Sequence, residues 1–312
     1  MAWFFVVLGL VTLLLAGDFL VRAAVNLALR LGISALVVSL TVVAFGTSAP
    51  ELLIVLSAMA DDAPGLAMGN IVGSNTANIL LVLGLPALAA GLYTTGFDTK
   101  KAFISMILAT VLFITLAFVG PFSWWHGGLM LAVLAAILLD QAWTARRVSR
   151  VAVATEDLNG VDTSIPGWKI TLYLLFGLVG LPLGAKVLVV NAEIIAREFG
   201  VPETAIGLTL IAVGTSLPEL ATTTVAAIRR QADVALGNVI GSNMFNLLAI
   251  IGIAALVGPI PVADEFLRFD LWVMLAASFL LIPFVFFGRN ITRIWGAALT
   301  LLYMAYLLVV LL

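Results

Sequence analysis

Apolar residues fill this chain in ten long blocks, approximately residues 2–20, 35–59, 66–92, 102–120, 124–143, 170–191, 204–227, 234–258, 270–287 and 292–312. Each block reaches the roughly 17 to 25 residues that cross a hydrocarbon core about 30 Å thick. None alternates apolar and polar positions as a barrel strand does, and a lipid-exposed backbone must satisfy its own hydrogen bonds, so helices are expected throughout. The pattern predicts an all-α integral membrane protein with ten transmembrane helices. Polar residues interrupt the blocks at a few places, and those interruptions are written twice.

LTVVAFGTSAPEL at 40–52 recurs as LTLIAVGTSLPEL at 208–220, and GNIVGSNTANIL at 69–80 recurs as GNVIGSNMFNLL at 237–248. Both pairs stand 168 positions apart, and the same offset aligns AGDFLVRAAVNLALRLGIS from Ala16 with GAKVLVVNAEIIAREFGVP from Gly184. Each repeat then holds five spans, 1–143 and 170–312, joined by the polar segment 144–169. An odd number of spans forces the second copy into the opposite orientation. The loop charges agree: Asp61 and Asp62 align with Arg229 and Arg230, as expected of equivalent loops that face opposite sides. Two inverted-topology five-helix repeats and a linker over 144–169 are therefore expected.

Composition narrows the class. Hydrophobic residues make up 63% of the 312 positions and charged residues 10%, and the mean hydropathy is +1.20, far from the balance of soluble domains. The chain has no cysteine and one histidine, His126. Disulfides, thiolate metal sites, histidine clusters and thiol or His-based catalysis are excluded, and no cofactor motif or nucleophile suggests an enzyme. The amino terminus lacks a basic n-region and an A-x-A cleavage pattern, so it reads as a first span and not as a cleaved leader. With that terminus outside, cytoplasmic segments hold 12 of the Lys and Arg residues and outer segments hold Lys186, Arg197 and Arg268. Both termini are expected on the extracytoplasmic side of the cell membrane, with the 144–169 linker in the cytoplasm.

The duplicated motifs carry the chemistry. In GTSAPE, Thr47 and Glu51 lie four apart on one helix face with Ser48 beside them. Pro50 removes a backbone donor and clashes with the preceding turn, so the helix should kink there. Carbonyls at Ala44 to Thr47 are then free to turn toward a cation, which is tolerated at membrane depth where they line a protein cavity. Ala212, Thr215, Ser216, Pro218 and Glu219 repeat the device. In the companion motif GNxxGSNxxN, Ser74 and Asn78, like Ser242 and Asn246, share one face, and Gly69, Gly73, Gly237 and Gly241 allow close helix approach. Isolated Gly, Ser and Thr in membrane helices ordinarily serve packing, whereas an intramembrane carboxylate needs a functional reason. Hard cations take oxygen ligands, Ca²⁺ about six to eight of them. Glu51 and Glu219 together supply two negative charges, enough to balance one divalent ion, and protons or Na⁺ could replace it. The calcium-free site is expected to need proton or sodium occupancy. Asp18 and Lys186, equivalent in the two repeats, read as snorkelling or paired structural charges, and Trp124, Trp125 and His126 as interfacial anchors.

GTSAPE and GTSLPE, each followed by GNxxGSNxxN, resemble the sodium/calcium exchanger branch of the cation/calcium antiporter superfamily, in its prokaryotic form, over nearly the whole chain. The resemblance implies an ion site formed by spans two, three, seven and eight, with ligands at Thr47, Ser48, Glu51, Ser74, Asn78, Thr215, Ser216, Glu219, Ser242 and Asn246 and at the carbonyls of Ala44 and Ala212. It implies Ca²⁺ and Na⁺ as transported substrates, no cofactor, no nucleic acid, lipid as the surroundings and no obligatory protein partner. Asn246 stands where some members carry Asp, so both companion helices present an amide and the centre holds no third carboxylate. Calcium/proton exchangers usually carry a GNxxE-type motif in the glutamate helices, so GTSxPE favours sodium as counter-ion. A calcium/proton antiporter using the same glutamates is the alternative.

Overall fold

The computed structural model describes residues 1–94, 98–148, 165–200 and 212–311. In chain order its helices are α1 (Ala2–Leu31), α2 (Ala35–Thr47), α3 (Ala49–Ala60), α4 (Pro64–Ala90), α5 (Lys100–Val119), α6 (Trp124–Val148), α7 (Gly167–Glu198), α8 (Ala212–Thr215), α9 (Leu217–Ile228), α10 (Ala232–Val257), α11 (Phe266–Phe286) and α12 (Arg293–Leu311). Extended pairing among the described residues is limited to two antiparallel bridges, Leu92 with Ile291 and Phe122 with Ile260. Eight of the helices are long and apolar enough to cross a membrane, and the bent pair α2–α3 makes a ninth. The chain is an all-helical, multi-pass membrane protein. The block at 204–227 begins outside the described residues, which leaves α8 and α9 as its described part.

Helices run beyond several apolar blocks. α1 carries Arg22 and Arg30 past the apolar end at residue 20 before Gly32 stops it in a left-handed turn, φ 65°. There the Gly32 and Ile33 N–H groups bond back to the Leu29 and Ala28 carbonyls, the closing bonds a left-handed glycine permits. α6 and α7 likewise extend into the segment read as a linker, to Val148 and from Gly167; its remainder, 149–164, lies outside the described residues. Hydropathy marks where a helix meets lipid, whereas helix propensity and capping decide where it ends.

α1 and α7 pack antiparallel through small residues. A Cβ on Gly9 would lie 2.7 Å from the Leu188 nitrogen, and one on Gly177 would lie 2.7 Å from the Leu20 Cβ. Gly9 and Gly177 are 168 positions apart, as are Leu20 and Leu188, so the two contacts are the same contact seen from each helix. Gly180 and Gly184 extend the seam against Ala16 and Leu13. Close backbone approach gains dispersion contacts that lipid cannot supply.

α4 and α10 form the interior: 83% and 89% of their apolar windows are buried, against 33% in α1 and 22% in α7. Their small residues explain this position. A Cβ on Gly241 would stand 2.4 Å from the Leu40 carbonyl oxygen, so α10 lies directly on the backbone of α2, and the Ser39 hydroxyl donates to the Val234 carbonyl at 2.6 Å. π-helical turns occupy Ser39–Val43, Asn78–Val82 and Phe245–Ile250, within α2, α4 and α10. Such turns are rare and concentrate at functional sites.

Candidate ion-binding site

Each duplicated motif breaks its helix in the same way. Ser48 leaves the helical region at φ −84°, ψ 3° and Ser216 at φ −85°, ψ 4°. Pro50 and Pro218 follow as the second residues of α3 and α9, where a missing N–H costs nothing. The bend between α2 and α3 is 40°. It falls at Ser48, two residues before the proline, because the ring clashes with the turn preceding it. Thr47 therefore closes one helix and Glu51 sits in the first turn of the next, rather than both lying on one continuous face. Glu219 takes the equivalent place in α9. A carboxylate in the first turn faces the positive end of its own helix.

The ten side chains singled out by the motifs are all buried. Thr47, Glu51, Asn78, Glu219, Ser242 and Asn246 are 0% exposed, and Ser48, Ser74, Thr215 and Ser216 are 6% or less. Hydroxyls meet across the two halves: Thr47 lies 3.4 Å from Ser242, and Ser74 lies 3.4 Å from Thr215. Ser48 donates its hydroxyl to Oε1 of the Glu219 carboxylate at 3.4 Å. Glu51 and Glu219 are near enough to repel one another. The Ala44 carbonyl accepts the Ser48 N–H at 3.0 Å and faces the Thr47 hydroxyl at 3.3 Å, so it is engaged within its own turn. Ala212 opens α8 at the matching position.

Several buried oxygens have no hydrogen-bond partner among the described residues: both of Glu51, Oε2 of Glu219, Oγ of Ser216, and Oδ1 of Asn78 and Asn246. An unpartnered buried carboxylate oxygen is costly. A cation coordinated among these atoms removes that cost and the repulsion between the carboxylates together. Among the described residues no group of three or more His, Cys, Asp or Glu side chains gathers, so two carboxylates with neutral hydroxyls and amides make up the donor set. That set suits hard cations.

Sequence reasoning did not single out Asn238, whose Oδ1 accepts from the Thr47 hydroxyl at 3.2 Å while its amide faces Thr223 at 3.3 Å. Asn75 and Asn243 were missed as well: Asn78 donates to Asn243 Oδ1 at 3.0 Å, and Asn243 donates to the Asn75 carbonyl at 3.4 Å. Both positions recur across the repeats as Asn70 with Asn238 and Asn75 with Asn243, a signal already present in GNxxGSN. Asp18 is a paired charge, bound to Arg22 at 2.9 Å and to Arg229. Trp124 and Trp125 face outward, but His126 turns inward and accepts the Ser123 N–H at 3.1 Å.

The family model described as sodium/calcium exchanger protein matches residues 1–143 and 169–312. CaxA of Alkalimonas amylolytica is 36% identical over 98% of this chain and 97% of its own length. The sodium/calcium exchanger MaX1 of Methanosarcina acetivorans is 34% identical over 97% of this chain and 96% of its own. Among solved structures, the sodium-calcium exchanger NCX_Mj soaked with 2.5 mM Na⁺ and 0.1 mM Ca²⁺ superposes with a TM-score of 0.82 at 30% identity, covering 98% of this chain and 97% of that one. Matched over both halves by one transporter family, and in its fold by a solved exchanger, the chain belongs to the sodium/calcium exchanger family of cation/calcium antiporters.

Proposed function

We propose that the chain exchanges Na⁺ for Ca²⁺ across the cell membrane by alternating access, with both ions competing for one central site. The observation that carries this is the pair Glu51 and Glu219, buried and mutually repelling, with three of their four oxygens unpartnered. Their two charges balance one Ca²⁺; two Na⁺ balance them equally, and further Na⁺ would bind on neutral oxygens. Occupancy by one ion removes the charge that attracts the other, which is a direct route to exchange. The proposed ligands are Thr47, Ser48, Glu51, Ser74 and Asn78, their counterparts Thr215, Ser216, Glu219, Ser242 and Asn246, and the carbonyls of Ala44 and Ala212. MaX1 and NCX_Mj are both named as sodium/calcium exchangers, which supports sodium over protons.

The architecture in this reading is ten spans in two inverted five-helix repeats, 1–143 and 170–312. The antiparallel α1/α7 seam and the reciprocal Thr47–Ser242 and Ser74–Thr215 contacts support it. Both termini lie outside and the connection over 144–169 lies in the cytoplasm. The test is ⁴⁵Ca uptake into proteoliposomes. An outward-directed Na⁺ gradient at constant pH should drive uptake; uptake driven by a pH gradient alone would remove sodium as the counter-ion.

A further inference from the structure

Asp18 and Arg229 play no part in the ion site, yet they join its two flanks. Asp18 lies midway along α1, and Arg229 caps α9. Their ion pair is partly shielded, the side chains being 24% and 32% exposed. Next to it Gly17 lies flat on α9, where a Cβ would come within 3.2 Å of the Ala221 carbonyl oxygen. α1 thus covers α9 here, and Ala221 is 7% exposed.

The counterparts 168 positions away are Ala185 for Gly17, Leu53 for Ala221, Lys186 for Asp18 and Asp61 for Arg229. Asp61 caps α3 as Arg229 caps α9. Both charges are reversed, so the second pair is attractive like the first. It is not formed. Leu53 is 69% exposed, so α7 does not cover α3 as α1 covers α9. Lys186 and Asp61 are exposed, Lys186 has no ion pair among the described residues, and Asp61 accepts from Ser57 in its own helix at 3.5 Å.

We propose that Asp18–Arg229 and Lys186–Asp61 are alternative ion pairs that position the α1/α7 unit at the two ends of its travel, forming in turn as the ion site opens to one side and then the other. The inference rests on the alternating-access reading above. The glycine seam binds α1 and α7 into one body, so docking α7 on α3 withdraws α1 from α9 and the two pairs exclude each other. The sign reversal has a physical reason. The loop on the cytoplasmic side takes the basic residue and its counterpart on the outer side the acidic one, so each partner on the moving helices must change sign with it. These four side chains touch no transported ion and act by setting which side is closed.

The chain contains no cysteine, so Leu53→Cys combined with Ala185→Cys introduces the only thiols. Their oxidative cross-linking in proteoliposomes reads the population with α7 on α3. In that background Asp18→Asn should raise the cross-linked fraction about two- to fivefold and Lys186→Gln should lower it by a similar factor, the shift a partly exposed pair can impose. Asp18 also pairs with Arg22 one turn along its own helix, a contact that travels with α1, so Arg229→Gln, which leaves that contact in place, should raise the fraction by the same factor as Asp18→Asn. Equal fractions in parent, Asp18→Asn and Lys186→Gln, or shifts in the opposite directions, would overturn the proposal. If Asp18→Asn does not yield folded protein, Lys186→Gln and Arg229→Gln decide. The measurement needs no transported ion, so a chain that couples to protons gives the same pattern, and a wrong counter-ion is distinguished from a wrong latch.

Discussion

The Thr47 hydroxyl lies 3.4 Å from that of Ser242, and the residues 168 positions away, Thr215 and Ser74, stand at the same distance. Each half of the chain thus lends a hydroxyl to the other's companion helix. The Nδ2 atoms of the amides do not share this symmetry. Asn238 holds Thr47 through its Oδ1 and spends its Nδ2 on Thr223, while the Nδ2 of its counterpart Asn70 has no partner among the described residues. Asn238→Ala should therefore release Thr47 and raise the Ca²⁺ concentration for half-maximal uptake about five- to tenfold, roughly one hydrogen bond's worth. A ⁴⁵Ca uptake titration of the variant beside the parent checks the shift.

Glu51→Gln and Glu219→Gln each keep shape and remove one of the two charges. Each should abolish Ca²⁺ exchange, because a divalent ion would then be bound against a single negative charge in a buried site. Folding should survive, since the change also removes the repulsion between the carboxylates. Uptake assays beside size-exclusion profiles in detergent test both parts, and normal Ca²⁺ transport by either variant would discard the two-carboxylate mechanism.

Gly241 is where α10 meets the α2 backbone. An added Cβ would sit 2.4 Å from the Leu40 carbonyl oxygen and 2.6 Å from the Ala44 Cβ, neither of them a flexible end. Gly241→Ala should cost about 1–3 kcal/mol, the usual range for overpacking. Gly65→Ala, with nothing within 4 Å of the new carbon, should be neutral or slightly stabilising because alanine is the better helix former. Thermal unfolding of the two variants in detergent gives the comparison.

The glutamates were legible in the sequence because a carboxylate in an apolar block is anomalous on its face, and the 168-residue offset was legible because both motifs obey it without a gap. Helix continuity was less so. Arg22 and Arg30 lie beyond the first apolar block, among the cytoplasmic charges, yet they ride on α1 before Gly32 ends it, since hydropathy reports the solvent and not the hydrogen bonds. The helix break moved from Pro50 to Ser48 because the ring's clash is with the turn before it. Asn238 stood inside a motif already quoted, but its role rests on Thr47, a partner from the other half of the chain. Such a contact exists only in the folded molecule.

Asn246 is 0% exposed, and neither its Oδ1 nor its Nδ2 has a hydrogen-bond partner among the described residues. Its counterpart Asn78 donates to Asn243 and leaves only Oδ1 unpartnered. Replacing Asn246 by Asp adds a titratable group to a centre that holds two fixed charges. With its proton the new side chain is neutral and behaves as the amide does; without it the centre carries three negative charges and attracts cations more strongly. Asn246→Asp should thus retain Ca²⁺ uptake, match the parent at the acid end of the range, and bind Ca²⁺ progressively more tightly than the parent as pH rises. Parallel pH profiles of ⁴⁵Ca uptake at saturating and sub-saturating Ca²⁺ separate affinity from turnover. Superimposable profiles for parent and variant would show that the charge at this position does not reach the ion site.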